Sequence, residues 1–81
     1  MDKPKNEHLV KFGQNIKAIR EGLGMSQDEV VTNSSKLTKG TLSDIENGKR
    51  NLSFTTLIDL AKGLGKSPKE LLNYKFDLDK D

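Results

Sequence analysis

From residue 9 onward, apolar positions recur at helical intervals. Leu9, Phe12, Ile16, Ile19 and Leu23 follow one another at steps of 3, 4, 3 and 4, which lays a single stripe along an α-helix. The stripe predicts a first helix over residues 8–23, stopped by Gly22 and Gly24, which tolerate a left-handed backbone. Gly13 inside it is a local weakness of up to ~1 kcal/mol against alanine. Ser26-Gln27-Asp28-Glu29 then sets a hydroxyl three residues before a carboxylate, the reciprocal capping box, and opens a second helix with Val30 and Val31 turned inward. That helix fades at Thr32-Asn33-Ser34-Ser35, whose short polar side chains compete with the helical backbone for hydrogen bonds. Thr38 caps a third helix over 39–47, with Leu42 and Ile45 on its inner side and Gly48 at its end.

Ser53 caps a fourth helix, in which Phe54, Leu57, Ile58, Leu60, Ala61 and Leu64 are apolar over more than one face; such a helix is expected at the centre. Gly65 stops it. Ser67-Pro68-Lys69-Glu70 repeats the capping box with proline at the first helical position, giving a short fifth helix over 68–73. Beyond it Tyr74, Phe76 and Leu78 alternate with Lys75, Asp77 and Asp79, the period of a half-buried strand. A lone strand has no partner within the chain, so this tail either pairs with another chain or stays disordered. The opening residues hold Pro4 and alternating charge with nothing to bury, and read as a flexible arm. The expected organisation is therefore all-α: an arm over 1–7, one helical domain over 8–73 and an acidic tail over 74–81.

Eighty-one residues support one small core and no separate catalytic domain. The net charge of +2 is too small to argue for a nucleic-acid partner alone. Its distribution says more: over residues 76–81, Asp77, Asp79 and Asp81 against Lys80 make −2, which leaves +4 on everything before them. Without cysteine there is no disulfide, thiolate metal site or cysteine nucleophile, and His8 alone would have to carry any histidine chemistry. Asp28 and Glu29 are accounted for by capping, and no glycine-rich phosphate loop is present, so neither an enzyme nor a cofactor or metal is expected. No apolar run nears the roughly 18 residues of a membrane span, and MDKPKNEH lacks a signal peptide's apolar core. A soluble cytoplasmic protein is the expectation.

Two helices joined by a tight polar turn suggest a helix-turn-helix unit. MSQDEV followed by LTKGTLSDIENGKRNLSFTTLIDLAKGLGKSPKELL resembles the Xre family of bacterial and phage helix-turn-helix regulators, which includes Cro and the DNA-binding domains of phage repressors. The likeness covers residues 12–72, in several separated motifs in the right order. It implies a five-helix phage-repressor-like domain, with the second helix across the DNA backbone and the third in the major groove. Position by position, Thr38, Lys39, Gly40, Ser43 and Asp44 match residues that face bases or flanking phosphates. Gln27 matches a glutamine close to the backbone and nearby bases, and Asn47, Lys49, Arg50 and Asn51 match a loop that grips phosphate. Arg20 and Glu46 match a partly buried ion pair tying the first helix to the end of the third. The chain departs from the family at Val31, where alanine is usual, and in the turn, where Asn33-Ser34-Ser35-Lys36-Leu37 has no glycine and one extra residue.

The chemistry leaves alternatives open. Lys39 has the reach for guanine O6 and N7 or for a phosphate, and is otherwise a solvated lysine. Gly40 either lets backbone approach DNA or is merely tolerated. Asp44 facing DNA is favourable only where it accepts from cytosine N4 or adenine N6; otherwise it pairs with Lys39 or a nearby basic side chain. Lys49 and Arg50 either contact phosphate, with Asn51 adding a short hydrogen bond, or stabilise the dipole of the helix they follow. Leu71, Leu72, Tyr74 and Phe76 are the apolar residues left after the core is filled, either for a dimer interface or for packing on the first helix.

The leading expectation is a homodimeric regulator of transcription that occupies a two-fold-symmetric operator in double-stranded DNA and blocks or recruits polymerase. Within the family, the short length and IENGKRNLSF look like the controller proteins of restriction–modification systems. The alternative is a protein-interaction module, such as an antitoxin that binds a toxin, with DNA binding secondary.

Overall fold

The computed structural model describes residues 6–79. The arm expected over 1–7 lies mostly outside them, as do Lys80 and Asp81 of the tail. Five helices follow in order: α1 (Glu7–Gly22), α2 (Gln27–Asn33), α3 (Lys39–Glu46), α4 (Phe54–Leu64) and α5 (Pro68–Leu71). Each begins where a polar side chain can take up a free backbone N–H. Asn6 accepts from the His8 and Leu9 amides at 2.9 and 3.4 Å, so α1 starts a residue before its apolar stripe suggested. Ser26 and Glu29 exchange bonds of 3.1 and 3.0 Å in a complete capping box. Thr38 and Ser53 accept from Thr41 and Thr56 at 3.1 and 3.2 Å. At α5 the Ser67 amide donates to Glu70 Oε2 at 2.9 Å.

The core is drawn from every helix: Phe12 and Ile16 of α1, Val30 of α2, Leu42 and Ile45 of α3, Leu60, Ala61 and Leu64 of α4, and Leu71 of α5, with Leu37 folded in from the turn. α1 packs chiefly on α3, and α2 chiefly on α4. Two glycines make those crossings close. A Cβ on Gly13 would overlap the Ile45 carbonyl oxygen and lie 2.8 Å from that of Glu46; one on Gly63 would lie 2.5 Å from the Val30 carbonyl oxygen. Gly13 is thus not simply a weak point of α1. Whatever helix propensity it gives up, it lets the backbones of α1 and α3 touch, which no residue with a Cβ permits without displacement.

Two further expectations are corrected. α4 is not buried all round, since Phe54 is 73% and Ile58 40% exposed. Its second apolar face is at the surface because α2 and α5 cover only one side. Leu71 is fully buried, held where α5 meets α1 and α4, and so is unavailable to an interface. No strand forms among the described residues. The segment after α5 has no neighbouring strand to take its backbone groups; instead the Tyr74 amide turns back to the Leu72 carbonyl at 3.0 Å, and the Tyr74 and Phe76 rings stack at 4.6 Å.

Candidate nucleic-acid interface

The third helix divides cleanly by side. Leu42 and Ile45 point into the core, while Thr38, Lys39 and Gly40 at its start are exposed and Ser43 and Asp44 half-exposed on its outer side. Asn47, Lys49, Arg50 and Asn51 follow in exposed positions after it. The helix therefore offers hydroxyls, an ammonium and a carboxylate on one face, with two cations and two amides close behind.

What fixes that face is a network at the C-terminal end of α3. Among the described residues Glu46 is the one charged residue in the core, its side chain only 4% exposed. Arg20 of α1 grips it in a fork, Nε to Oε2 at 2.7 Å and Nη2 to Oε1 at 3.0 Å, and its Nη1 donates to the Met25 carbonyl at 2.9 Å. The Glu46 carboxylate holds the Arg20 pKa above its ordinary value, so the guanidinium stays charged. Gln27, which the resemblance set near the DNA backbone, adds a third bond: its Nε2 donates to Glu46 Oε1 at 3.1 Å, so its amide is oriented before any ligand arrives. Gly48 closes this end with φ of 71°, in a spot where a Cβ would lie 2.9 Å from the Val10 Cα.

On the outer face the charges are paired, though loosely. Lys39 Nζ lies 3.5 Å from Asp28 at the head of α2, and Arg50 Nη2 lies 3.5 Å from Asp44. The partner open to Asp44 is thus Arg50 and not Lys39. Both pairs are exposed, where an ion pair is worth roughly 0–1 kcal/mol and yields readily to a stronger anion. Asn47 turns its Nδ2 back to the Ser43 carbonyl at 2.9 Å and so shapes the helix end itself.

The glycine-free turn before α3 is held by a residue the sequence reading passed over. Asp59, on α4, accepts from the amides of Ser35, Lys36 and Leu37 at 2.7, 2.8 and 3.0 Å. No sequence signal marks it, since α4 also carries Thr55, Thr56 and Lys62 and one more polar residue does not stand out. The Ser35 and Lys36 amides hold its carboxyl below the usual carboxylate range. Also unread were Asn15, whose Nδ2 ties α1 to the Leu71 carbonyl at 2.9 Å, and the exposed Phe54 and Ile58. Among the described residues no group of His, Asp and Glu could hold a metal ion, and no helix is long and apolar enough to cross a membrane.

A turn-linked helix pair, with the second helix locked underneath and polar on its outer side, defines a helix-turn-helix domain of the DNA-binding kind. Residues 16–71 match the HTH_3 helix-turn-helix family, and the chain belongs to it. It is 35% identical over 69 residues to control protein C.BamHI of Bacillus amyloliquefaciens, a match covering 85% of each chain. Among solved structures, the restriction–modification controller protein C.AhdI of Aeromonas hydrophila superposes with a TM-score of 0.74 at 35% identity, over 80% of this chain and 97% of that one. C.Esp1396I, solved as a tetramer with its natural 35 base-pair operator, superposes with a TM-score of 0.68 at 34% identity, over 80% and 95%. The chain is a helix-turn-helix transcriptional regulator homologous to restriction–modification controller proteins.

Proposed function

We propose that the chain acts in the cytoplasm as a homodimer on a two-fold-symmetric operator, with α3 in the major groove of double-stranded DNA. The observation that carries this is the outer face of α3, backed by the Arg20–Glu46 pair that fixes the helix from beneath. On this reading Thr38, Lys39, Gly40, Ser43 and Asp44 face base edges. Gln27, Asn47, Lys49, Arg50 and Asn51 lie along the phosphates, where long side chains and short amides give position without sequence. The operator complex of C.Esp1396I supports the ligand class, and its tetramer supports association of several copies.

One domain of this size spans few base pairs, so specificity calls for two copies on half-sites about 34 Å apart. Exposed apolar side chains supply surface for a second copy: Phe54 and Ile58 on α4, and Leu72 and Phe76 beside Tyr74 after α5. The test is selection from a randomised duplex library at two salt concentrations, with the solution mass determined alongside. A symmetric consensus bound by a dimer, with steep salt dependence, is the expected outcome. Binding without sequence preference would overturn the reading.

A further inference from the structure

The turn into the third helix is held from outside itself. It contains no glycine, and among the described residues every non-glycine residue has negative φ, so no left-handed residue sets its direction. Instead three consecutive amides, those of Ser35, Lys36 and Leu37, converge on the single carboxylate of Asp59. They belong to the three residues immediately before Thr38, the cap of α3. One turn further along α4, Lys62 Nζ donates to Ser35 Oγ at 2.7 Å. On the inner side the Leu37 side chain is buried in the core. α4 therefore grips both the main chain and a side chain of the turn. An ionised acceptor makes such bonds roughly twice as strong as a neutral one.

We infer that Asp59 is a positioning residue for DNA recognition: by clamping residues 35–37 onto α4, it sets the register and tilt at which Thr38, Lys39 and Gly40 meet base edges. This rests on the operator-binding reading above. The clamp supplies from a neighbouring helix the constraint that a glycine's backbone freedom supplies in other turns. It acts on the N-terminal end of α3 alone, because the C-terminal end has its own anchor in Arg20 and Glu46. Loss of Asp59 leaves that anchor and the core residues in place and frees the end that carries the proposed base contacts. Sequence-independent binding, which depends on charge and little on register, is then spared.

The experiment compares Asp59→Asn with wild type on the operator selected by wild type and on a scrambled duplex of equal length, at a temperature where circular dichroism shows both proteins folded. The asparagine keeps the shape but replaces one of the two accepting oxygens with an N–H₂, so at least one of the three amides faces a donor. About a tenfold or greater loss on the operator is expected, with less than about a twofold change on the scrambled duplex and the same salt slope. A folded Asp59→Asn with wild-type operator affinity, or with equal losses on both duplexes, overturns the assignment. Wild type without sequence preference overturns the operator-binding reading and this role together, and is seen before any variant is made. Should the variant not fold, the wild-type amide resonances decide. Those of Ser35, Lys36 and Leu37 move together with the Asp59 carboxyl through an acid titration if the clamp exists, and independently of it if it does not.

Discussion

The two ends of α3 are anchored by different chemistry. At the C-terminal end a buried carboxylate meets a guanidinium and an amide, and Gly13 lets the α1 backbone press against the Ile45 and Glu46 carbonyls. At the N-terminal end a more exposed carboxylate on α4 collects backbone amides of the turn. The first anchor is expensive to break, because removing one member strands a buried charge, typically at about 3–5 kcal/mol. The second resembles a helix cap, worth about 0.5–2 kcal/mol. The end of the helix proposed to read bases is thus the softer one, and can adjust without unfolding the domain.

The contrast is broken most severely at the C-terminal anchor. Glu46→Gln leaves Arg20 in its half-buried seat facing a neutral amide, and is expected to lower unfolding free energy by about 3 kcal/mol. Urea denaturation measures it, and a wild-type midpoint would show that the pair contributes nothing. Gly13→Ala tests the same end through packing. Alanine gains up to ~1 kcal/mol in helix propensity but drives a Cβ into two carbonyls, and overpacking of this kind costs about 1–3 kcal/mol, so a net loss is expected. A more stable Gly13→Ala would mean that the two helices part at little cost.

At the N-terminal anchor the expectation is smaller and depends on pH. The folded-state pKa of Asp59 lies below its unfolded value, so its contribution is complete above the ordinary carboxylate pKa of about 3.9 and is lost as pH falls through the folded value. Asp59→Asn is expected to cost about 1 kcal/mol at neutral pH, as a lost cap does. It should also lose less than wild type on acidification below about pH 4. Thermal melts between neutral and acid pH decide it: curves that run parallel would show that the carboxylate stabilises nothing.

How legible each end was follows from the same chemistry. Caps are local, a hydroxyl or amide beside the helix it starts, so Ser26, Thr38 and Ser53 could be read directly along the chain. The resemblance paired Arg20 with Glu46, and the two side chains meet at 2.7 Å, because a two-sided charge pair leaves a mark at both positions. Asp59 leaves one at neither end: its partners are main-chain amides, which every residue but proline carries, and 22 to 24 residues separate them from it. Gly13 was misjudged because propensity weighs the helix alone, while its use is the approach of α3. The exposure of Phe54 and Ile58 and the burial of Leu71 have one cause. Apolar spacing reports that a side chain is hydrophobic, and only the packing of α5 against α1 and α4 decides which of them is covered.

The smallest effect on stability, and the sharpest on recognition, is expected where neither anchor acts. Asp44 and Arg50 sit 3.5 Å apart with both side chains 46% exposed, so Asp44→Ala and Arg50→Ala should each change unfolding free energy by less than about 0.5 kcal/mol. Their effects on DNA should diverge. Arg50→Ala removes a proposed phosphate contact and is expected to weaken all sequences alike, lowering the salt slope by about one unit. Asp44→Ala removes a repulsion from phosphate and a selective acceptor at once, and releases Arg50 from the acid it pairs with, so total affinity holds or rises while base preference broadens. Selection from randomised duplexes with both single variants and the double variant separates the two routes by which Asp44 could act. If the double variant keeps the altered preference of Asp44→Ala, the carboxylate reads a base directly. If it reverts to the wild-type preference, Asp44 works by holding Arg50, and the outer face of α3 is tuned by its own ion pair.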